Sequence, residues 1–131
     1  MHLGRNMARI LLVEDDADVQ TVVSEFLGTI GHHVVSASSA VQARLILAGQ
    51  RIDLALIDCL MSGEQGDSLA EHVVNLEIPT ILTSGDPLFI ENLTEQPLPF
   101  LAKPFRLSAL EEVITRILQH HGGNEPATAS D

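Results

Sequence analysis

One aliphatic segment constrains this chain more than any other. Residues 53–63 read Asp-Leu-Ala-Leu-Ile-Asp-Cys-Leu-Met-Ser-Gly, a nearly unbroken apolar run that ends in a carboxylate and continues into serine and glycine. Such a run, closed by turn residues, is typical of a buried β-strand that ends where a loop begins. We predict the strand over residues 54–57, which places Asp58 at its carboxyl end. In an open parallel sheet, ligands bind at that edge because the loops that leave neighbouring strands meet there.

Four more aliphatic segments are predicted strands, and each strand is followed by a helical or loosely helical segment. The strands cover residues 8–13, 33–37, 78–82 and 98–102. Pro99 assigns the last of them to an edge of the sheet, because proline cannot donate a ladder hydrogen bond. A repeated strand and helix pattern indicates an α/β fold, with a doubly wound, five-stranded parallel sheet and helices on both faces.

The helices are predicted from apolar residues that recur at helical spacing and from residues that favour helix ends. The predicted N-caps are Asp16 or its neighbour, then Ser38-Ser39, and finally Ser108, which forms a capping box with Glu111; the predicted ends are Gly31, Gly49 and Gly122-Gly123. The residues predicted to face the core are Val19, Val22, Val23, Phe26, Leu27 and Ile30, then Val41, Leu45 and Ala48, then Leu69, Val73 and Leu76, and finally Leu110, Val113, Ile114, Ile117 and Leu118. Residues 85–97 are poorly patterned and indicate an irregular or shortened fourth helix.

Length and composition predict one domain and exclude several classes of partner. We expect a flexible leader over residues 1–7, one domain over 8–121 and a disordered tail over 122–131.

The formal net charge of −11 argues against direct binding to nucleic acid or to an anionic membrane. The sequence shows no apolar run long enough for a membrane span and no signal peptide, so we expect a cytoplasmic protein. A single cysteine, Cys59, excludes an internal disulfide and is interpreted as a small core residue.

The predicted strand ends bring several polar side chains to one edge of the sheet. They are Glu14, Asp15 and Asp16 after the first strand, Asp58 after the third, Thr83 after the fourth and Lys103 after the fifth. Two carboxylates 4 Å apart repel by roughly 4 kcal/mol at an effective dielectric constant of ~20, so a cation is needed among them. Magnesium is the natural candidate because it prefers oxygen ligands. A carboxylate, a cation, an ammonium and a hydroxyl together are suited to moving a phosphoryl group onto an aspartate.

Four motifs at these strand ends resemble the receiver domain of two-component response regulators. They are Leu-Leu-Val-Glu-Asp-Asp, Leu-Ile-Asp-Cys-Leu-Met-Ser-Gly, Pro-Thr-Ile-Leu-Thr-Ser and Phe-Leu-Ala-Lys-Pro-Phe, in that order along the chain. The resemblance covers residues 8–121. It implies a flavodoxin-like (βα)5 fold with strand order 2-1-3-4-5.

The resemblance also implies the phosphoryl acceptor and the metal ligands. Asp58 would take a phosphoryl group from a histidine kinase or a histidine phosphotransfer protein. Asp15 would bind Mg²⁺ directly and Glu14 through water, while Asp58 and the backbone carbonyl of Leu60 would complete the protein ligands.

The remaining implied roles belong to residues that respond to the phosphoryl group. Thr83 and Lys103 would each contact a phosphoryl oxygen, and Phe100 would be the switch aromatic that turns inward when Thr83 moves. The signal would then pass to an unidentified downstream protein, or onward by phosphorelay.

Two other functions and one other architecture remain open from the sequence. Asp16 and Asp18 have the spacing of a haloacid dehalogenase-like hydrolase, although Asp16 is better interpreted as a helix cap. A receiver-like interaction module that is never phosphorylated is the second alternative. The chain is expected to be a free single-domain regulator, with a receiver from a larger kinase as the alternative.

Overall fold

The computed structural model describes residues 7–59, 66–85 and 98–124, and these contain five strands and four helices. The strands are β1 (Arg9–Val13), β2 (His33–Ala37), β3 (Leu54–Asp58), β4 (Thr80–Ser84) and β5 (Phe100–Ala102). The helices are α1 (Ala17–Thr29), α2 (Ala40–Gly49), α3 (Gly66–Asn75) and α4 (Leu107–Asn124). None of these helices has both the length and the apolar character needed to cross a membrane.

The strands form a single parallel sheet in the order β2-β1-β3-β4-β5, which confirms the predicted fold class. Strands β3 and β4 are buried along their whole length. Helices cover both faces of the sheet, which is why β3 reads as a continuous apolar run rather than as an alternating one. Strand β5 lies at an edge, as we predicted from Pro99. It starts at Phe100, two residues later than the predicted start at residue 98.

Successive residues of the buried strands contribute to two hydrophobic clusters on opposite faces of the sheet. One cluster packs Ile10, Leu12, Leu54 and Leu56 against α1 and α4 through Val23, Leu27, Leu110 and Ile114. The other packs Leu11, Val13, Ala55 and Ile57 against α2 and α3 through Ala40, Ala43, Leu69 and Val73. The core is therefore aliphatic on both faces.

Helix α2 faces the core with a different set of residues from the one predicted. Val41 and Leu45 are 66% and 70% exposed, and Ala48 is exposed too. Ala40 and Ala43 are buried instead, with Ile46 and Leu47 packed beside them. The helix has apolar residues on two sides, and the side with the small alanines allows its backbone to lie close to the sheet.

Smaller corrections concern the edges of the predicted apolar stripes. Val22 of α1 is 52% exposed, because Val23 and Leu27 already fill the contact between that helix and the sheet. Leu76 is 47% exposed because α3 ends at Asn75 and the chain turns there. The predicted stripe of α4 is confirmed, with Leu110 and Ile114 fully buried.

The predicted ends of α4 were wrong at both termini. The backbone carbonyl of Arg106 accepts hydrogen bonds from the amides of Ala109 and Leu110, so the helix begins at Leu107 and Ser108 lies inside its first turn. The helix also continues through the predicted glycine stop to Asn124, because glycine permits a helix to end without forcing it to do so.

Other predicted helix ends are confirmed. Asp16 caps α1 and Ser39 caps α2, each through side-chain oxygens that accept backbone hydrogen bonds. Gly31 follows α1 with a φ of 105°, a conformation that glycine adopts without strain. The predicted fourth helix falls almost entirely on residues outside the described ranges, as do most of the leader and of the tail, so those boundaries stay predictions.

Candidate functional site

The carboxyl ends of β1, β3 and β4 place Glu14, Asp58 and Thr83 at one edge of the sheet. Asp58 is the last residue of β3 and lies in register with Thr83 of β4, whose carbonyl accepts a hydrogen bond of 2.8 Å from the amide of Cys59. Glu14 directly follows β1, and its amide donates to the carbonyl of Ala37 at 3.0 Å. Backbone pairing therefore sets the positions of all three side chains, and all three are buried.

Lys103 joins the two buried carboxylates. Its Nζ lies 2.8 Å from Oε1 of Glu14 and 3.0 Å from Oδ2 of Asp58. Its own amide donates to the carbonyl of Ser84 at 2.9 Å, so the backbone next to β4 holds the lysine in place. These contacts connect the ends of β1, β3 and β5.

Burial and charge act in opposite directions on these groups. Burial raises the pKa of Glu14, and the charge of Asp58 adds to this, while the hydrogen bonds from Lys103 and from the amide of Asp16 oppose it. Burial by itself would lower the pKa of Lys103, but the hydrogen bonds and charges of Glu14 and Asp58 outweigh burial and raise it. The lysine is therefore held in its ammonium form between the two carboxylates.

Glu14, Asp15 and Asp58 form an acidic cluster that can hold a metal ion. Each residue offers a carboxylate oxygen, and these oxygens all lie within 4.8 Å of one another. With Lys103 included, the ionised groups carry a net charge of −2, which a divalent cation would neutralise. Oxygen ligands of this kind suit a hard cation such as magnesium.

Asp16 takes no part in that cluster. Its side chain accepts hydrogen bonds from the amides of Asp18 at 2.9 Å and Val19 at 3.3 Å, and its amide donates to Oε2 of Glu14 at 3.1 Å. The interpretation of Asp16 as a helix cap is confirmed, and its spacing with Asp18 reflects the start of α1 rather than a pair of metal ligands.

Gln20 supports the site and was missed from the sequence. Its side-chain amide donates to the carbonyl of Glu14 at 3.0 Å and lies 3.4 Å from the carbonyl of Ala37. It thus holds the acidic loop against the end of β2. Its role could have been predicted from its position four residues after the cap of α1, because a side chain in the first turn of a helix can reach back to the preceding loop.

The remaining predicted residues and two neighbours of the site are placed as follows. Ser84 is fully buried beside Thr83, and Cys59 is buried next to Asp58. Phe100 is half-buried, lies in register with Leu82 and packs against the cluster that α2 and α3 cover. Leu60 lies outside the described residues, so the role of its carbonyl stays a prediction.

At this edge of the sheet, the ammonium of Lys103 holds one oxygen of the Asp58 carboxylate. The acids Glu14 and Asp15 and the hydroxyl residue Thr83 lie beside it. The family model for the response regulator receiver domain matches residues 10–115. This chain belongs to the receiver domain family.

Curated relatives of this receiver include bacterial regulatory proteins. It is 29% identical over 129 residues to the response regulator protein FleR of Pseudomonas aeruginosa, a match that covers 95% of this chain and 27% of FleR. It is 31% identical over 114 residues to protein PetR of Rhodobacter capsulatus, covering 84% of this chain and 48% of PetR. The receiver spans about a quarter to a half of the length of these relatives.

Solved receiver structures share the fold. The receiver domain of a sensor histidine kinase from Pseudomonas aeruginosa, which has a magnesium ion coordinated in its active-site cleft, aligns with a TM-score of 0.76 and 29% identity, over 85% of this chain and 97% of that one. A CheY-like receiver from Methanospirillum hungatei aligns with a TM-score of 0.80 and 23% identity, over 87% and 95% of the two chains. The second likeness concerns the fold alone.

Proposed function

We propose that this receiver accepts a phosphoryl group on Asp58 from a phosphohistidine of a histidine kinase or a phosphotransfer protein, in a Mg²⁺-dependent reaction. The observation that carries the proposal is the contact of Lys103 with both Glu14 and Asp58 at the edge of the sheet where Thr83 also lies. The phosphorylated chain then signals through contact with a downstream protein or by passing the phosphoryl group on.

The reaction is a displacement at phosphorus by a carboxylate oxygen of Asp58. The new bond joins that oxygen to phosphorus, while the bond from phosphorus to the donor nitrogen breaks and its electron pair stays on the donor imidazole. Lys103, already in contact with Oδ2 of Asp58, stabilises the negative charge that gathers on the phosphoryl oxygens. The hydroxyl of Thr83, in register with Asp58, donates a hydrogen bond to a phosphoryl oxygen of the product.

Mg²⁺ fits the acidic cluster and would be held by Asp15, Asp58 and, through water, Glu14. When bound, it supplies positive charge that offsets the charge of the phosphoryl group and of the carboxylates around it. The net charge of −2 on the four ionised side chains matches this requirement. Gln20 keeps the acidic loop in position for it through the carbonyl of Glu14.

Phe100 is the proposed reporter of phosphorylation. It sits on the edge strand β5, half-buried and in register with the residue that precedes Thr83. A shift of Thr83 towards the phosphoryl group would leave space along β4 into which an aromatic ring on β5 can move. The surface around β5 would then differ between the two states.

Incubation of the chain with acetyl phosphate and Mg²⁺, followed by intact mass measurement, tests the acceptor. Here the bond from phosphorus to the acetyl oxygen breaks and acetate leaves. We expect a mass gain of one phosphoryl group. This gain should not appear when EDTA is added before acetyl phosphate, because EDTA removes the Mg²⁺. Asp58→Asn should abolish it.

Asp16→Asn is the matched control, because it removes an acid next to the site while asparagine still caps a helix as well as aspartate does. This variant should be phosphorylated like the wild type. A mass gain that persists in Asp58→Asn would show that another residue is the acceptor. No mass gain in the folded wild type would indicate a receiver that acts without phosphorylation.

A further inference from the structure

Helix α2 turns an uncharged face towards the solvent. Its exposed residues are Val41, Gln42, Leu45, Ala48 and Gly49. Val41, Leu45 and Ala48 follow the i, i+4, i+7 spacing of a single helical stripe. The stripe that the sequence assigns to the core thus lies on the outside of the molecule.

The other helices that the structure describes all expose charged side chains. Asp18 and Glu25 are exposed on α1, Glu71 on α3, and Glu112 and Arg116 on α4. Charged side chains are what normally solvates the outer face of a helix. An outer face built from valine and leucine without any charge is typical of a surface that another molecule covers.

The polar side chain on this face, that of Gln42, is turned towards the amino-terminal end of α2. Oε1 of Gln42 accepts hydrogen bonds from the amide of Ser38 at 2.7 Å and from its hydroxyl at 3.0 Å. The side chain thereby supports the start of α2. The centre of the face is left to Val41 and Leu45, which form an apolar strip along the helix.

The chain segment that contains α2 has a charge opposite to that of the chain as a whole. No acidic residue occurs between Glu25 and Asp53, although the chain has 18 of them. Three of its seven basic residues, Arg9, Arg44 and Arg51, lie on or beside α2. With Asp53 counted beside these three arginines, the group carries a net charge of +2, while the chain as a whole has a net charge of −11.

Two of these arginines make side-chain contacts near the carboxyl end of α2, Arg9 with the residue that caps the helix and Arg51 with an aspartate of the following loop. Nη1 of Arg9 donates to Oε1 of Gln50 at 3.1 Å. Nε of Arg51 lies 3.2 Å from Oδ1 of Asp53, and the Arg51 side chain is 86% exposed. Their guanidinium groups are held at one end of the apolar strip, where an acidic partner would meet them.

We propose that the outer face of α2 docks an amphipathic helix of a partner protein, with an apolar stripe that packs on Val41 and Leu45 and with acidic residues that flank this stripe. A second copy of this chain fits less well, because a symmetric contact would place the same basic edges against themselves. A single helix face is also a small contact, which suits a transient partner rather than a permanent dimer.

Two synthetic helical peptides test the charge requirement. Both carry leucines at i, i+4 and i+7; one has glutamates beside this stripe and the other has lysines at the same positions. Binding to the full chain is measured by fluorescence anisotropy at low salt. We expect the glutamate peptide to bind about tenfold tighter, as electrostatic complementarity requires. The net charge of the chain predicts the opposite order, so equal binding or tighter binding of the lysine peptide would overturn the proposal.

Variants of the chain test the place of binding. Leu45→Glu should weaken the glutamate peptide about tenfold or more, and Arg51→Gln should weaken it about threefold and reduce its dependence on salt. Val22→Glu adds the same charge at an exposed valine of α1 and is the control, with unchanged binding expected.

Two results would contradict the proposed occupant. The first is an affinity of the folded Leu45→Glu variant for the glutamate peptide equal to that of the wild type, which would show that the peptide binds elsewhere. The second is sedimentation that shows a wild-type dimer and a Leu45→Glu monomer, which would assign the face to a second copy.

Discussion

At the scale of single residues, the site depends on one lysine between two buried acids. Isolated buried carboxylates are strongly unfavourable, and pairing with a cation offsets this only when the geometry is good. The distances of 2.8 and 3.0 Å from Lys103 Nζ to Glu14 and Asp58 meet that condition. The sequence predicted that Lys103 lies opposite the acids, but not which oxygens it contacts, because these residues are 89 and 45 positions from it along the chain.

His32 gives the fold a dependence on pH that is separate from the site. It is buried, and its Nδ1 accepts a hydrogen bond of 3.2 Å from the amide of Ala8. Burial lowers the pKa of His32, with the charge of Glu111 on α4 acting against this. Because the folded pKa lies below the ordinary value, the unfolded chain takes up the proton first as pH falls.

We therefore expect the contribution of His32 to stability to be complete above about pH 6.5, the ordinary histidine pKa, and to be lost as pH falls through the folded pKa. Urea unfolding of the wild type and of His32→Gln at pH 8 and pH 5.5 measures it. His32→Gln should cost about 1 kcal/mol at pH 8 and should lose less stability on acidification than the wild type. The exposed neighbour His33, changed to Gln, is the control at pH 8 for the substitution itself and should be close to neutral there.

At the scale of elements, α2 shows that an apolar stripe does not identify the buried face of a helix that carries apolar residues on two of its sides. Val41 and Leu45 have the larger side chains and the clearer spacing, yet Ala40 and Ala43 are the residues in the core. Burial of alanines lets the helix approach the sheet and its neighbour α3 more closely. This choice depends on the space between elements, which the sequence of α2 does not contain.

Two substitutions in α2 separate the predicted and the observed orientations. Leu45→Ala should cost less than about 1 kcal/mol, whereas a buried leucine would cost about 2–5 kcal/mol. Ala43→Leu should cost about 1–3 kcal/mol because it overfills a fully buried position. Ala48→Leu, at an exposed position, is the control and should be close to neutral. A larger loss for Leu45→Ala than for Ala43→Leu in denaturant unfolding would contradict the observed packing.

At the scale of the whole molecule, the sheet collects negative charge at one edge of an already acidic chain. The net charge of −11 includes the three carboxylates whose oxygens lie within 4.8 Å of one another. A divalent cation that binds the folded chain and not the unfolded one raises stability with its concentration. Metal binding and folding should therefore be linked in this receiver.

We expect Mg²⁺ to raise the Tm of the wild type, with a stabilisation of about 2.7 kcal/mol at a hundredfold excess over the Kd. Asp15→Asn should lose most of this effect, because it removes one of the three carboxylates that can hold the ion. Asp18→Asn, an exposed acid outside the cluster, should keep the full response. Thermal unfolding with and without Mg²⁺ measures all three, and an unchanged response in Asp15→Asn would remove this residue from the ligands.

Much of the molecule was predictable from the sequence, for a local reason. The aliphatic runs and the polar residues that end them identify five strands, and a parallel sheet brings Glu14, Asp58, Thr83 and Lys103 to one edge whatever the details of packing. The caps at Asp16 and Ser39 were predictable in the same way, because each depends on hydrogen bonds to amides two or three residues along the chain.

The tertiary structure alone decided the features that depend on residues far apart in the chain. It selected the alanine side of α2 for the core, placed the side-chain amide of Gln20 3.4 Å from the carbonyl of Ala37, 17 positions away, and directed one ammonium to two carboxylates. The apolar face that α2 leaves outside follows from the same choice. Each of these features depends on the volume and the hydrogen-bonding groups that other elements supply, and local sequence patterns carry no measure of either.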